Sequence, residues 1–540
     1  MKKQSTSKGF AVLSMGTIVS KLLSLLYVPL LTKILGGSTS VGIYSVSYQI
    51  YAFVYVLTNA GVPVAISKLV SEFVATKNYK DANKSFKMCR AILITLGLVM
   101  GLIMFVFAKY IAVAMKFPQA KLSVMALSPA ILFTSISSTY RGYFQGNGNM
   151  VPTAVSQVLE QFFNTIFSLA FAALLLKNGV EQACAGATVG TTLGAFVSAL
   201  YLIITYGMDR RNGIGRTNPE GVRRRSSRAI LNRIANYAFP ITVCIGMQNL
   251  GNLLDTTNTK ARLLIAGIQD YKATGLVGSL AQYQTLINVP IAVLSALAVA
   301  ILPAISAAVA VRDRKKVAGK INYAFRLCFV IAIPSAVGLS ILSKPIYKFI
   351  YSNSLSGYKI MLMGAEVLIF MCLLQVQTSI LQGAGKLYSV TLYSIIGIVV
   401  KISTNYILVA NSKINIYGTI IGSILGFSTT ILLNYLLMKK SMHHVKFHMF
   451  RFIKKPLFAS IFMGGAAYGV YYILNFSIGY VLKVQYLVNL IALMVAMLAA
   501  VVVYGIVLVF IGGIRKRDME SMPSKLKRHI PNRIMNMMRE

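Results

Sequence analysis

Apolar residues fill fourteen stretches of this chain, and most approach the roughly 20 residues that an α-helix needs to cross hydrocarbon. They fall at 10–35, 42–66, 88–108, 122–143, 151–176, 182–206, 230–255, 276–300, 323–343, 360–381, 390–410, 416–437, 456–475 and 485–511. Backbone groups in lipid must be bonded within their own segment, so each stretch is predicted helical and the chain all-α and polytopic. The tetrapeptide Gln145-Gly146-Asn147-Gly148 returns as Gln382-Gly383-Ala384-Gly385, 237 residues later, each copy in a tight turn between two apolar stretches. Near the same offset the segment Val62 to Arg90 resembles Val299 to Arg326.

The pattern divides the chain into an N-terminal six-helix lobe at 1–206, a basic linker at 207–229 and a second six-helix lobe at 230–437. Two appended helices with their loop follow at 438–511, and a basic tail at 512–540. Six is even, so the halves enter the bilayer with the same orientation, as parallel repeats, and the default place for a substrate lies between them.

Composition agrees: 56% of the 540 residues are hydrophobic, and mean hydropathy is +0.68. The net charge of +41 would suggest nucleic acid in a soluble protein, so the position of the charges matters. About 38 of the 54 Lys and Arg residues lie in alternate loops and span ends and about 12 in the intervening ones. The richer set, including both termini, is expected to be cytoplasmic. Met1 to Lys8 reads as the basic flank of a retained first span, and the run Arg223-Arg224-Arg225 as topology plus attraction to anionic lipid. Cys89, Cys184, Cys244, Cys328 and Cys372 have no metal-type spacing, and His443, His444 and His448 sit among lysines that would repel a cation. No metal site or other cofactor is expected. A phosphate-cradling glycine loop, an HExxH helix and an outward loop with paired carboxylates are all missing, which argues against an enzyme.

Polar residues inside apolar helices are costly and mark functional faces. Ser14, Thr17, Lys21 and Ser24 share one face of the first span, with Lys21 near its middle, and Gln157, Glu160, Gln161, Asn164 and Ser168 share one face of the fifth. Asn252, Asp255 and Thr259 align in the seventh, and Lys401 and Asn405 lie a turn apart in the eleventh. Two lysines against one glutamate favour an anionic cargo, with Glu160 expected to need a proton or a partner such as Lys21 or Lys401. Glu160 and Asp255 are the candidates for ion coupling. Tyr44, Tyr48, Tyr51 and Tyr55 repeat at helical spacing and offer rings and hydroxyls to sugars. Pro29, Pro63, Pro240, Pro290, Pro303 and Pro334 are candidate kinks.

The segment Gly61-Val62-Pro63-Val64-Ala65-Ile66-Ser67-Lys68, the run Tyr-Arg-Gly-Tyr-Phe-Gln-Gly at 140–146, and Leu302-Pro303-Ala304-Ile305-Ser306 resemble one known family. This is the polysaccharide-transporter branch of the multidrug/oligosaccharidyl-lipid/polysaccharide exporter superfamily, with strongest likeness to stage V sporulation protein B and the MurJ-type lipid II flippases. The resemblance implies two pseudo-symmetric six-helix lobes around a central cavity, plus two C-terminal helices lining a groove for a lipid tail. It also implies alternating access that carries an undecaprenyl-pyrophosphate-linked oligosaccharide from inner to outer leaflet. Lys21 matches the family's pyrophosphate-binding position in the first helix, whereas Gln282 stands where a basic residue is expected in the eighth.

The expected substrate-binding set is thus Lys21, Ser24, Tyr51, Tyr55, Gln157, Glu160, Asn164, Gln282, Lys401 and Asn405. Its cargo is lipid II or another lipid-linked glycan, in growth or in sporulation. Membrane lipids and cell-wall synthesis proteins are the expected partners. An ion-coupled multidrug exporter of the same fold and a membrane glycosyltransferase stand as rivals.

Overall fold

The computed structural model describes residues 6–212, 225–310, 314–352, 355–442, 445, 447–481 and 484–513. The C-terminal tail from Arg515, His443 and His444, and most of the 207–229 linker lie outside them. All regular structure among the described residues is helical. Two compact units form, one of residues 1–281 with 410–413 and one of residues 282–409 with 414–540. The first holds α1 (Thr6–Leu35), α2 (Ser38–Asn59), α3 (Val62–Ala75), α4 (Tyr79–Val106), α5 (Ala108–Ala114), α6 (Lys121–Gly146), α7 (Val151–Leu175), α8 (Val180–Asn212), α9 (Ser227–Ile265) and the start of α10 (Asp270–Ala310). The second holds the rest of α10, α11 (Arg314–Ile341), α12 (Ser343–Ile350), α13 (Tyr358–Gly364), α14 (Val367–Gly383), α15 (Leu387–Leu408), α16 (Gly418–Ser441), α17 (Lys454–Val481) and α18 (Gln485–Phe510). Packing therefore divides the chain inside α10, while the sequence repeat divides it in the linker.

Each of the fourteen expected stretches falls on helix. By length and apolarity, ten of the described helical segments could cross a membrane, or eleven if α13 and α14, bent by 55°, form one span. Two stretches, 88–108 and 323–343, cross a helix end only at their last residues, at Phe107 and Leu342, and two others are broken well inside their length. The 42–66 stretch is interrupted at Ala60 and Gly61, where Pro63 opens α3, because a proline in the first helical turn has no orphaned N–H to leave behind. The 360–381 stretch bends between α13 and α14. Pro29, Pro240 and Pro334 lie inside unbroken helices.

The repeated tetrapeptides make the same turn. Gly148 and Gly385 both have φ of 77°, a left-handed conformation that favours glycine. In the first copy Gly148 N donates to Gln145 O at 3.0 Å and Asn149 N to Phe144 O at 2.9 Å. In the second, Gly385 N donates to Gln382 O at 3.0 Å and Lys386 N to Leu381 O at 2.9 Å. Each turn caps the carbonyls of the preceding helix, α6 or α14, and launches the next.

Within the first unit, Ala65, Ile66, Leu69, Val70 and Phe73 follow helical spacing on α3 and pack with Phe86, Phe144 and Ile234. The last described part of the linker is tied to the α3–α4 turn, where buried Asp81 accepts from Arg225 N at 2.8 Å and Asn78 Nδ2 at 2.9 Å. Arg233 of α9 pairs with Glu72 of α3. At the other end of α9, the fully buried Lys260 amine lies 2.9 Å from Asp270 Oδ1 and over the Phe117 ring, while Gln119 Nε2 donates to Asp270 Oδ2 at 3.1 Å. Burial pushes the Lys260 amine below its usual range. Burial alone would raise the Asp270 carboxyl, but the bonds from Lys260 and Gln119 outweigh it and hold that group below the usual carboxylate range.

In the second unit α17 packs on α11, and α18 on α17 and α12. Tyr471 donates to Asn489 Oδ1 at 2.7 Å, and Asn489 Nδ2 donates to Pro345 O at 3.2 Å, so a buried amide sets the register of the appended pair.

Candidate functional site

Small residues let polar helix faces approach closely. On α8, Gly186, Gly190 and Gly194 lie one turn apart, and a Cβ on any of them would come within 3.0 Å of α7, at Phe171 O, Ser168 and Glu160 O respectively. This small-residue stripe presses the polar face of α7 against α8. α7 also meets α1, where Gly16 abuts Ala154 and Thr17 Oγ1 lies 3.5 Å from Gln157 Oε1. Lys21, one turn above Thr17, is exposed near the middle of its apolar helix. Ser24 Oγ donates to its own helix at Ser20 O, 3.0 Å away.

Glu160 is not neutralised by Lys21. Its partner is Arg141 of α6, whose Nη2 lies 2.6 Å from Glu160 Oε2, with 15% and 29% of the two side chains exposed. Lys401, the other expected partner, belongs to the second unit. The guanidinium also donates from Nε to Ser156 Oγ and from Nη2 to Ser198 Oγ, both at 2.9 Å. One arginine thereby staples α6 to α7 and α8.

The tyrosines of α2 stand beside this pair. Tyr44, Tyr48, Tyr51 and Tyr55 form a ladder with successive ring centroids 4.7, 6.0 and 5.9 Å apart. Tyr27 of α1 joins it through its hydroxyl, 2.7 Å from that of Tyr44. Tyr51 and Tyr55 continue the ladder along α2, which packs on α6. Tyr48 bonds Thr191, which donates to Asn164 Oδ1 at 3.1 Å, and Ser168 Oγ donates to the same atom at 2.8 Å. The first unit thus links Tyr48, Thr191, Asn164 and Ser168 by hydrogen bonds one turn along α7 from the Arg141–Glu160 pair, with Tyr51 and Tyr55 further along the ring ladder and Gln157 meeting α1 at Thr17, one turn from Lys21.

The remaining expected residues lie elsewhere. Asp255 is buried on α9, which packs along α2 through contacts such as Thr256 Oγ1 to Gln49 Oε1 at 2.7 Å. Gln282 is fully buried at the start of the second unit. Lys401 and Asn405 are on α15, where Gly426 and Gly422 of α16 crowd them as α8 crowds α7. Sequence reasoning missed Arg141, Ser156, Thr191 and Ser198. Arg141 was visible as a charge inside the 122–143 stretch, and the glycine steps 186, 190 and 194 marked the α7–α8 contact. Among the described residues no cluster of three or more metal-binding side chains occurs.

A family model described as polysaccharide biosynthesis protein matches residues 6–309, more than half of the chain. The chain belongs to that family. The lipid II flippase MurJ of Bacillus subtilis (strain 168) is 29% identical over 425 residues, 74% of this chain and 77% of that protein. Stage V sporulation protein B of the same organism is 27% identical over 423 residues, 78% of this chain and 81% of the relative. A solved structure of lipid II flippase MurJ in an inward closed conformation aligns with a TM-score of 0.67 at 16% identity, covering 92% of this chain and 98% of that one, so the fold is shared. This family member is a multi-pass membrane protein of the transporter type and not an enzyme.

Proposed function

We propose that this chain is a flippase that carries an undecaprenyl-pyrophosphate-linked oligosaccharide, with lipid II the favoured cargo, from the inner to the outer leaflet by alternating access, both termini being cytoplasmic. One observation carries the reading. Lys21 stands exposed in the middle of an apolar helix, one turn from Thr17, whose hydroxyl lies 3.5 Å from Gln157 on the polar face of α7. A phosphorylated lipid head needs a cation, and the attached sugar needs polar groups with flat apolar faces. The names and extent of the matched relatives support the same cargo class.

In this reading Lys21 meets the pyrophosphate, Lys401 adds positive potential, and Tyr51, Tyr55, Gln157, Glu160 and Asn164 meet the glycan. Ser24, Gln282 and Asn405 extend the polar lining. Glu160, through its pair with Arg141, and Asp255 are the candidates for ion coupling. A cationic head-group site would also respond to membrane potential, at about 2.3 kcal/mol per charge per 100 mV.

The test is lipid II translocation in cells that depend on this protein. Lys21→Ala together with Lys401→Ala is expected to abolish flipping while the protein still reaches the membrane; full activity would refute the charge assignment. Depletion is expected to leave lipid II on the inner leaflet. Accumulation of a different lipid-linked glycan would change the cargo, and drug resistance on overexpression with normal precursors would favour an exporter.

A further inference from the structure

Arginine carries five N–H donors in a fixed plane. The bonds of Arg141 to Ser156, Glu160 and Ser198 use Nε and Nη2 and leave the two N–H groups of Nη1. Glu160 commits Oε2 to the pair and retains Oε1. Neither side chain is sealed, at 15% and 29% exposure, and neither Nη1 nor Oε1 is among the buried atoms lacking a bond. The pair thus presents an open donor beside an open acceptor.

We propose that Arg141 reads the glycan directly: Nη1 and Glu160 Oε1, flanked by Tyr51 and Tyr55, form a sugar subsite chemically separate from the cation at Lys21. The inference rests on the flippase reading and deepens it. Charge decides the ligand class. Arg141 and Glu160 cancel at hydrogen-bond distance, so a phosphate drawn to the guanidinium would meet a carboxylate of its own sign. A sugar hydroxyl or an N-acetyl amide both donates and accepts, and one such group satisfies both atoms. Tyr48 of the same ladder bonds Thr191, whose partner Asn164 lies one turn from Glu160, and the rings of Tyr51 and Tyr55, 5.9 Å apart, continue that ladder and add aromatic faces. Lys21 differs, because among the described residues it enters no ion pair and has no carboxylate beside it to repel an anion.

Preorganisation supports the assignment. Ser156 and Ser198 hold the guanidinium from α7 and α8, and the glycine stripe holds those helices together, so the open edge of Arg141 has a fixed direction before any ligand arrives. A site with fixed polar groups rejects a ligand lacking the matching hydroxyl or amide more strongly than an apolar site could.

The experiment measures binding of two probes to the purified full chain: undecaprenyl pyrophosphate without sugar, and lipid II with its disaccharide. Arg141→Lys keeps a cation beside Glu160 but loses the guanidinium fork, and Glu160→Gln keeps the shape but loses the charge. Each is expected to weaken lipid II binding about tenfold, roughly the worth of one lost charge-assisted hydrogen bond; Arg141→Lys should leave the sugar-free lipid within about twofold, and Glu160→Gln should not weaken it. Lys21→Ala is expected to weaken both probes. Equal weakening of both probes by Arg141→Lys would make the pair part of the phosphate site, and no weakening of either would make it a helix staple alone; both outcomes overturn the proposal. If the unaltered chain binds the sugar-free lipid but Arg141→Lys leaves lipid II affinity unchanged, the flippase reading survives and the subsite falls. Binding of neither probe by the unaltered chain would remove the reading and the subsite together.

Discussion

The helix pairs α7–α8 and α15–α16 are built on the same frame and filled with different chemistry. Gly194 abuts Glu160 and Asn164 where Gly426 abuts Gly397 and Lys401; Gly190 meets Ser168 where Gly422 meets Asn405; and Gly186 meets Phe171 where Gly418 meets Leu408. The partner positions on α7 and α15 keep the 237-residue offset of the repeated turn. Glu160, with Arg141 as its counter-ion, is replaced by Gly397, and Asn164 by Lys401. The first pair carries a neutralised ion pair and amides, whereas α15 and α16 contain no acidic residue and place Lys401 at depth. Backbone approach was kept through duplication while the polar cargo of each face diverged, because glycine contacts fix geometry without constraining the side chains beside them.

The largest effects should come from the shared frame. Gly190→Val and Gly422→Val each force a side chain into a packed neighbouring helix and are expected to cost at least about 3 kcal/mol, seen as loss of folded protein extracted from membranes. Normal yield of Gly422→Val alone would show that the second pair is looser than the first. Next is the ion pair. Glu160→Leu leaves a largely buried guanidinium without its counter-charge and should lower thermal stability in detergent by about 2–4 kcal/mol, with partial recovery on adding Arg141→Leu. Thr378, which stands where the offset places Arg141, should tolerate alanine within about 0.5 kcal/mol.

Lys401→Asn, which copies Asn164 into the second pair, sharpens the comparison further. Stability should hold while lipid II flipping falls about tenfold, the scale of one charged contact. Unchanged flipping would mean that the charge difference between the two pairs does not serve transport. The smallest contrast concerns Ser198 and Thr430. Ser198 accepts from Arg141 at 2.9 Å, so Ser198→Ala should cost about 1 kcal/mol in a thermal-shift comparison. Thr430 donates to backbone carbonyls at Gly426 and Tyr393, 3.1 and 3.3 Å away, and Thr430→Val should cost less than about 0.5 kcal/mol.

Much of this architecture was legible along the chain. Apolar length alone located helix at all fourteen stretches, and the tetrapeptide repeat marked two turns with matching hydrogen bonds and φ. The polar face of α7 was also readable, since Gln157, Glu160, Asn164 and Ser168 follow helical spacing. The partner of Glu160 was not. Lys21 and Lys401 were the expected partners, but Arg141 reaches it because α6 packs along α8, which in turn packs along α7, and no one-dimensional period encodes which neighbouring helix supplies a counter-ion. Nor did hydropathy show that α9 packs with the first unit, through Arg233 and Glu72 at one end and near Phe117 and Gln119 at the other.

Sequence alone determined the material of the protein: helices, because lipid cannot satisfy an exposed backbone; a duplicated plan, because the offset is constant; and polar faces, because a 3.6-residue period aligns them. Tertiary structure decided the pairings, namely Arg141 with Glu160, Tyr48 with Thr191 and α9 with α2. Those depend on short-range contacts between segments distant in the chain, where an ångström of backbone approach, set here by glycine, selects which charges meet.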